Sequence, residues 1–154
     1  MNAEARALRE FAEADLPALA DLWVMSWSET GLSIDFRARR DWLIGHLRGL
    51  RAGGADIVVG LNAGGRPAGF AAIDPTSGYL DQLCVAPAER GSGLASALLD
   101  EAKRRAPGAI ELDVNEANGR ALRFYEREGF SAVGRGLNPR SGLPTLRMRW
   151  RAAG

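Results

Sequence analysis

Between positions 79 and 105 the chain reads YLDQLCVAPAERGSGLASALLDEAKRR. A β-rich run meets a proline, then Gly91 and Gly93 one residue apart, then a helical pattern. In that pattern Leu94, Leu98 and Ala102 share one side, with Ala95, Leu99 and Ala106 beside them. A strand that passes through a glycine turn into an amphipathic helix is a unit of folds that pack helices on a sheet. Helix starts ordinarily attract Asp and Glu, because unpaired N–H groups and the macrodipole favour negative charge there. This one carries Arg90, Gly91, Ser92 and Gly93. A cation and two glycines point to a negative charge brought from outside, since glycine lets an anion approach the backbone without a Cβ in the way. A tight strand–helix turn is the plainer reading of the same glycines, and both can hold.

The remaining pattern places this unit inside one domain. ARALREF (5–11) reads as a short strand, and Asp15 to about Ser28 as a helix with Leu16, Leu19, Leu22 and Trp23 at helical spacing. Asp35 is the expected cap of a second helix running to about Gly49, with Phe36, Arg40, Leu43 and Leu47 on its surface. DIVVGLN (56–62) and RPAGFAAID (66–74), joined by NAGGR, read as a hairpin, and YLDQLCV (79–85) as a third strand. The central helix is expected from about Gly91 to Arg105. AIELDV (109–114) alternates Ile110, Leu112 and Val114 against Glu111 and Asp113. Asn118 to Glu128 is a helix with Asn118 as N-cap and Gly129 as C′ residue. FSAVGR (130–135), the loop GLNPRSGLP (136–144) and TLRMRW (145–150) complete the order βααβββαβαββ. The expectation is an α/β (α+β) domain, 1–154, with a mixed central sheet flanked by helices.

Composition narrows the function. Lys and Arg number 20 against 19 Asp and Glu, for a net charge of +1, which gives no global argument for nucleic acid or membrane. The basic runs RARR (37–40) and KRR (103–105) read as solvated helix faces, the second placed where the helix dipole favours it. One cysteine, Cys84, excludes an internal disulfide and fits a reducing cytoplasm; with one histidine, His46, it argues against zinc. No signal-peptide pattern opens the chain, and no apolar run reaches the roughly 20 residues that span a bilayer.

Two phosphate motifs fail at the glycine turn. A Walker A loop needs GK[ST] where the chain has Gly93, Leu94 and Ala95, and the dinucleotide fingerprint would want its third glycine at Ser96. A nucleotide-binding domain is therefore disfavoured. The segment Val85, Ala86, Pro87, then Arg90-Gly91-Ser92-Gly93-Leu94-Ala95 instead resembles motif A of the GCN5-related N-acetyltransferases (GNAT), Q/R-x-x-G-x-G/A after a strand ending V-x-P. NEANGRALRFYEREGF (115–130) resembles the family's N-x-x-A-x-x-F-Y-x-x-x-G-F segment at Asn118, Ala121, Phe124, Tyr125, Gly129 and Phe130. The order of elements is similar as well. The close match covers about residues 66–135.

The resemblance implies acetyl-coenzyme A as donor, no metal, and an amine on a small molecule or peptide as acceptor. Its pyrophosphate would rest on the N–H groups from about Arg90 to Ala95. The N–H of Val85 would polarise the acetyl carbonyl, while its side chain is core. Tyr125 is the family's general acid for the leaving thiolate, against a packing role like that read for Phe124. Asn118 would contact the pantetheine arm, or act as an N-cap alone. Asp81, on the same strand face as Val85 if the strand is regular, is the first candidate base, with Glu111 and Asp113 as alternatives. An unshifted aspartate is a poor base without burial or a water relay. Cys84 would face the other way and be core.

The acceptor pocket is expected between the first two helices and the final hairpin, lined from Trp23, Trp27, Trp42, Arg37, Arg39, Arg40 and Arg140. The Pro- and Gly-rich loop would set specificity, with Arg140 available to a substrate carboxylate. A non-catalytic acyl-CoA-binding or sensor module is the alternative function. Related proteins are often dimers, so a homodimer stays open.

Overall fold

The computed structural model describes residues 7–28, 35 and 38–153. Its elements are β1 (Leu8–Glu10), α1 (Leu16–Ser28), α2 (Arg40–Ala52), β2 (Asp56–Leu61), β3 (Pro67–Ile73), β4 (Leu80–Val85), α3 (Leu94–Arg105), β5 (Ala109–Asn115), α4 (Gly119–Arg127), β6 (Ser131–Leu137) and β7 (Pro144–Arg151). The α+β class and the expected order are met. The strands form two antiparallel sheets, β1-β2-β3-β4 and β5-β7-β6. These meet at a parallel bridge between Tyr79 and Glu111, where the Glu111 N–H donates to the Gly78 carbonyl at 3.0 Å. The mixed character of the sheet lies in that one bridge among the described residues.

Alternation along the first sheet sorts its side chains into two cores. Val58, Ala71 and Ile73 face α3, where they meet Leu94, Leu98, Leu99, Ile110 and Leu112. Ile57, Val59, Phe70 and Ala72 face α1 and α2, against Leu16, Leu19, Leu43 and Leu47. Each fully buried leucine stabilises the fold by roughly 2 kcal/mol. α3 lies close on the sheet because β2 offers it a glycine: a Cβ on Gly60 would meet Leu94 Cδ1 at 2.8 Å. A side chain at that position would force Leu94 to repack.

Two helix starts differ from expectation. α2 begins at Arg40, with Arg39 as N-cap; Asp35 Oδ1 instead accepts from the Ala38 N–H at 3.2 Å, one turn upstream. Phe36 and Arg37 lie outside the described residues. α3 begins at Leu94 rather than near Gly91, because Gly91 and Gly93 take φ of +79° and +93°, a left-handed backbone that no right-handed helix contains. The last loop is shorter than expected, since β6 and β7 extend to Leu137 and Pro144, and Asn138 N–H donates to the Leu143 carbonyl at 2.8 Å. The KRR run is a clamp as well as a face. Arg105 binds Glu10, Asp56 and Glu101, while Lys103 donates to the Glu128 carbonyl at 2.9 Å. No helix among the described residues is long and apolar enough to cross a membrane.

Candidate active site

β4 and β5 touch at the Tyr79–Glu111 bridge and part beyond it. The gap opens a cleft of about 460 Å³, lined by β4 from Leu80 to Val85, by Leu112, Asp113 and Val114 of β5, by the glycine turn, and by α4. Ala86 N–H donates to the Ala68 carbonyl at 2.8 Å, and Val85 lies opposite Gly69. Antiparallel pairs alternate between bonded and non-bonded, so the Val85 N–H points away from β3 and into the gap.

The glycine turn forms one end of the cleft. Arg90, Gly91, Gly93 and Ala95 line it. A Cβ built on Gly91 or Gly93 meets nothing within 4 Å, so both glycines leave open space in front of the backbone. Their left-handed φ adds a separate demand for glycine. The turn is also tied to the elements beside it. Leu94 is fully buried beneath α3, and its N–H is accepted by Ser92 Oγ at 3.2 Å. The Arg90 guanidinium reaches the Ser26 carbonyl in the last turn of α1 at 3.5 Å, where a helix dipole welcomes a cation.

Tyr125 and Asn118 come to the same cleft from α4. Asn118 caps that helix, its Oδ1 accepting from the Ala121 N–H at 3.2 Å, and it lines the cleft too. Tyr125 is buried, with Phe124 and Phe130 set edge-on at 5.2 and 5.4 Å. Burial, and then the neighbouring Cys84, push its phenol above the ordinary tyrosine range. It therefore holds its proton at neutral pH. Cys84 is buried among the α1 and α2 core, and burial pushes its thiol up to about 12.

Asp81 is not on the face of Val85. Ala72 lies opposite Gln82 but Ile73 lies opposite Leu80, so Asp81 is the extra residue of a β-bulge. The bulge turns its carboxylate to α2, where Oδ1 lies 2.7 Å from His46 Nε2. The Gln82 amide also donates to it at 3.2 Å, and Gln82 Oε1 accepts from Trp23 Nε1 at 3.3 Å. His46 is a residue that sequence reasoning did not connect to the site. Its only signal is its place on the rim of the α2 stripe, three residues after Leu43 and one before Leu47. The alternatives for the base are otherwise engaged. Glu111 is held below the usual carboxylate range by Arg149 and Arg147. Burial alone would raise Asp113, but Arg147 and the Tyr79 hydroxyl outweigh it and hold it low.

A second cavity of about 720 Å³ lies between α1, α2 and the β6–β7 hairpin. Trp23, Trp27, Trp42, Arg39 and Arg140 line it, with His46, Asn115 and Thr145. Arg40 does not: it is turned outward to Asp21 at 2.7 Å. Arg37 is outside the described residues. Trp27, Asp81, Gln82 and Asp113 line both cavities, so the two meet at the bulge of β4. Among the described residues no group of three or more His, Cys, Asp or Glu is placed to hold a metal.

Residues 48–152 match the family model described as an acetyltransferase (GNAT) domain. A peptidyl-lysine N-acetyltransferase, YjaB, of Salmonella typhimurium is 35% identical over 81 residues, 53% of this chain and 54% of the relative. The chain thus matches about half the length of that curated relative. The peptidyl-lysine N-acetyltransferase YiaC of Escherichia coli is 29% identical over 145 residues, 93% of this chain and 95% of the relative. Among solved structures, the apo form of YjaB from Escherichia coli superposes with a TM-score of 0.76 at 26% identity, covering 96% of this chain and 99% of that one.

Proposed function

The chain belongs to the GNAT acetyltransferase family, and from that premise we propose that it transfers an acetyl group from acetyl-CoA to a primary amine. The observation that carries this reading is the meeting of the two cavities at Asp81. One cavity ends in a glycine turn with open backbone and the other is walled by tryptophans. The residues fit the donor: open backbone at Gly91 and Gly93 suits a pyrophosphate, with Arg90, Ser92, Leu94 and Ala95 completing the turn, and Asn118 flanks the middle of the cleft. Bound there, acetyl-CoA supplies an acetyl thioester and a thiolate leaving group.

The chain's own groups do the rest. The Val85 N–H, aimed into the gap, donates to the acetyl oxygen as charge builds on it. Asp81 takes the proton that the amine loses as its nitrogen bonds to the acetyl carbon, and the hydrogen bond from His46 holds its carboxylate in place. Tyr125 gives its phenolic proton to the sulfur as the C–S bond breaks. The acceptor sits in the tryptophan-walled cavity. The similarity to peptidyl-lysine acetyltransferases supports a lysine side chain on a peptide or protein as that acceptor.

The test is acetyl transfer from acetyl-CoA to a panel of lysine peptides, N-terminal peptides, amino acids and polyamines, read by thiol release and product mass. Asp81→Asn and Tyr125→Phe run beside the wild type. Transfer that falls in both variants supports the reading. Tight acetyl-CoA binding with no transfer to any amine would replace it with a non-catalytic acyl-CoA sensor.

A further inference from the structure

The acceptor cavity holds four arginines in two different states. Arg147 is neutralised by Glu111 and Asp113, and Arg135 by Glu116. Arg39 and Arg140 have no carboxylate partner among the described residues. Instead Arg39 donates to the Arg140 carbonyl at 3.2 Å, and the Arg140 guanidinium lies 4.0 Å from the centre of the Trp42 ring. That leaves two cations without a carboxylate partner among the described residues on the wall of one cavity.

Arg39 is half-buried and Arg140 exposed, and each has a contact that orients it. Asn138 Oδ1 accepts from the N–H groups of Arg140 and Ser141 at 2.8 and 3.1 Å, so the loop that carries Arg140 is fixed. The guanidinium over the Trp42 ring is a planar fork of the kind that pairs with a carboxylate. Trp42 in turn stacks on His46, at 4.5 Å and 15°. The ring therefore ties the cation site to the Asp81–His46 pair across one cavity. Asn115 is buried, and its Oδ1 has no hydrogen-bond partner. A bound water would satisfy that acceptor as well as a ligand would.

We propose that Arg39 and Arg140 bind a carboxylate carried by the acceptor, so that the enzyme selects amines with an acidic group nearby. This rests on the acetyltransferase reading. The carboxylate is either an acidic side chain flanking a target lysine or the free α-carboxylate of a small amino compound.

The experiment compares kcat/KM for four acceptors: an amidated lysine peptide flanked by Glu, the same peptide flanked by Ala, the same flanked by Lys, and free amino acids. Wild type, Arg140→Ala, Arg140→Lys and Arg39→Ala are each measured, with acetyl-CoA binding titrated separately. The expected result is at least a tenfold preference for one carboxylate-bearing class over the Ala-flanked peptide. The preference falls towards one in Arg140→Ala, through KM rather than kcat, and shrinks as salt rises. Arg140→Lys keeps part of it, since charge remains and the bidentate fork is lost. Equal use of Glu- and Ala-flanked peptides together with poor use of amino acids overturns the proposal while leaving the acetyltransferase reading standing. So does a preference that survives Arg140→Ala. Acetyl-CoA binding without transfer to any of the four overturns both.

Discussion

His46 Nε2 and Asp81 Oδ1 lie 2.7 Å apart, joining α2 to the bulge of β4 at the point where the two cavities meet. That placement makes the two side chains the pair to test as proton acceptor and positioning partner. Asp81→Asn is expected to lower kcat by about 10²–10³-fold, within the usual range for a lost base. His46→Gln, which keeps a hydrogen-bonding group on the Trp42 face, is expected to cost about tenfold in kcat. Steady-state kinetics with acetyl-CoA varied check both, and a rise in KM for acetyl-CoA with kcat intact would contradict the assignment.

Tyr125 yields a pH prediction. Burial raises its phenol, so the group remains an acid beyond the pH at which an exposed tyrosine ionises, about 10. The alkaline side of the kcat profile should therefore show no loss from this residue up to about pH 10. Tyr125→Phe should lower kcat and leave acetyl-CoA affinity nearly unchanged. The pH–rate profile of wild type and variant, with calorimetric titration of acetyl-CoA, decides it.

Gly93 separates backbone strain from steric fit. Its φ of +93° disfavours any L side chain, although a Cβ there would meet nothing. Gly93→Ala should destabilise the fold by about 1–2 kcal/mol through the left-handed backbone alone. Gly93→Asn should recover part of that loss. Both should weaken acetyl-CoA binding, because the turn either shifts or gains an atom in its open face. Urea unfolding and ligand titration measure the two effects separately.

Asp15 carries an acid-sensitive share of stability. It is buried, bonded to Arg9 through both oxygens at 2.8 Å, and accepts from the Ala12 N–H at 2.8 Å. The Arg9 hydrogen bonds hold it low against the opposing effect of burial, with the Ala12 N–H helping. A lowered folded value means the stabilisation is complete above the unfolded aspartate value of about 3.9 and is lost as pH falls through the folded one. Asp15→Asn should cost about 1–2 kcal/mol at pH 7, the lower part of the range because Arg9 is 40% exposed. The gap between variant and wild type should narrow below about pH 4. Urea midpoints at neutral and acid pH test this.

Much of the fold was legible because its signals are local. The strand of Ile110, Leu112 and Val114, the cap at Asn118 and the turn at Gly91 and Gly93 each announce themselves within a few residues. The cavity residues that depend on such local signals, Tyr125 and the glycines among them, come together in one cleft. What was not legible depends on register and distance. Asp81 reads as a partner of Val85 under strict alternation, and only the offset between β3 and β4 reveals that it faces α2. His46 stands 35 residues from Asp81, with no pattern linking them. Arg140 and Trp42 belong to a loop and a helix at opposite ends of the chain, and their stacking follows from how the hairpin folds over α2.

The parting of β4 from β5 also governs how the molecule opens. Backbone bonding between the two sheets runs through the Tyr79–Glu111 bridge and its Gly78 neighbour, so the amide ladder is interrupted where the cleft begins. Cohesion across that break rests on side chains: Ile110, Leu112 and Met148 share one core with Leu94, Leu98 and Ile73. The expected consequence is that the two sheets exchange their amide hydrogens at different rates. A ligand that spans the gap would fuse the two units into one, and its occupancy would be recorded as slowed exchange along both edges at once.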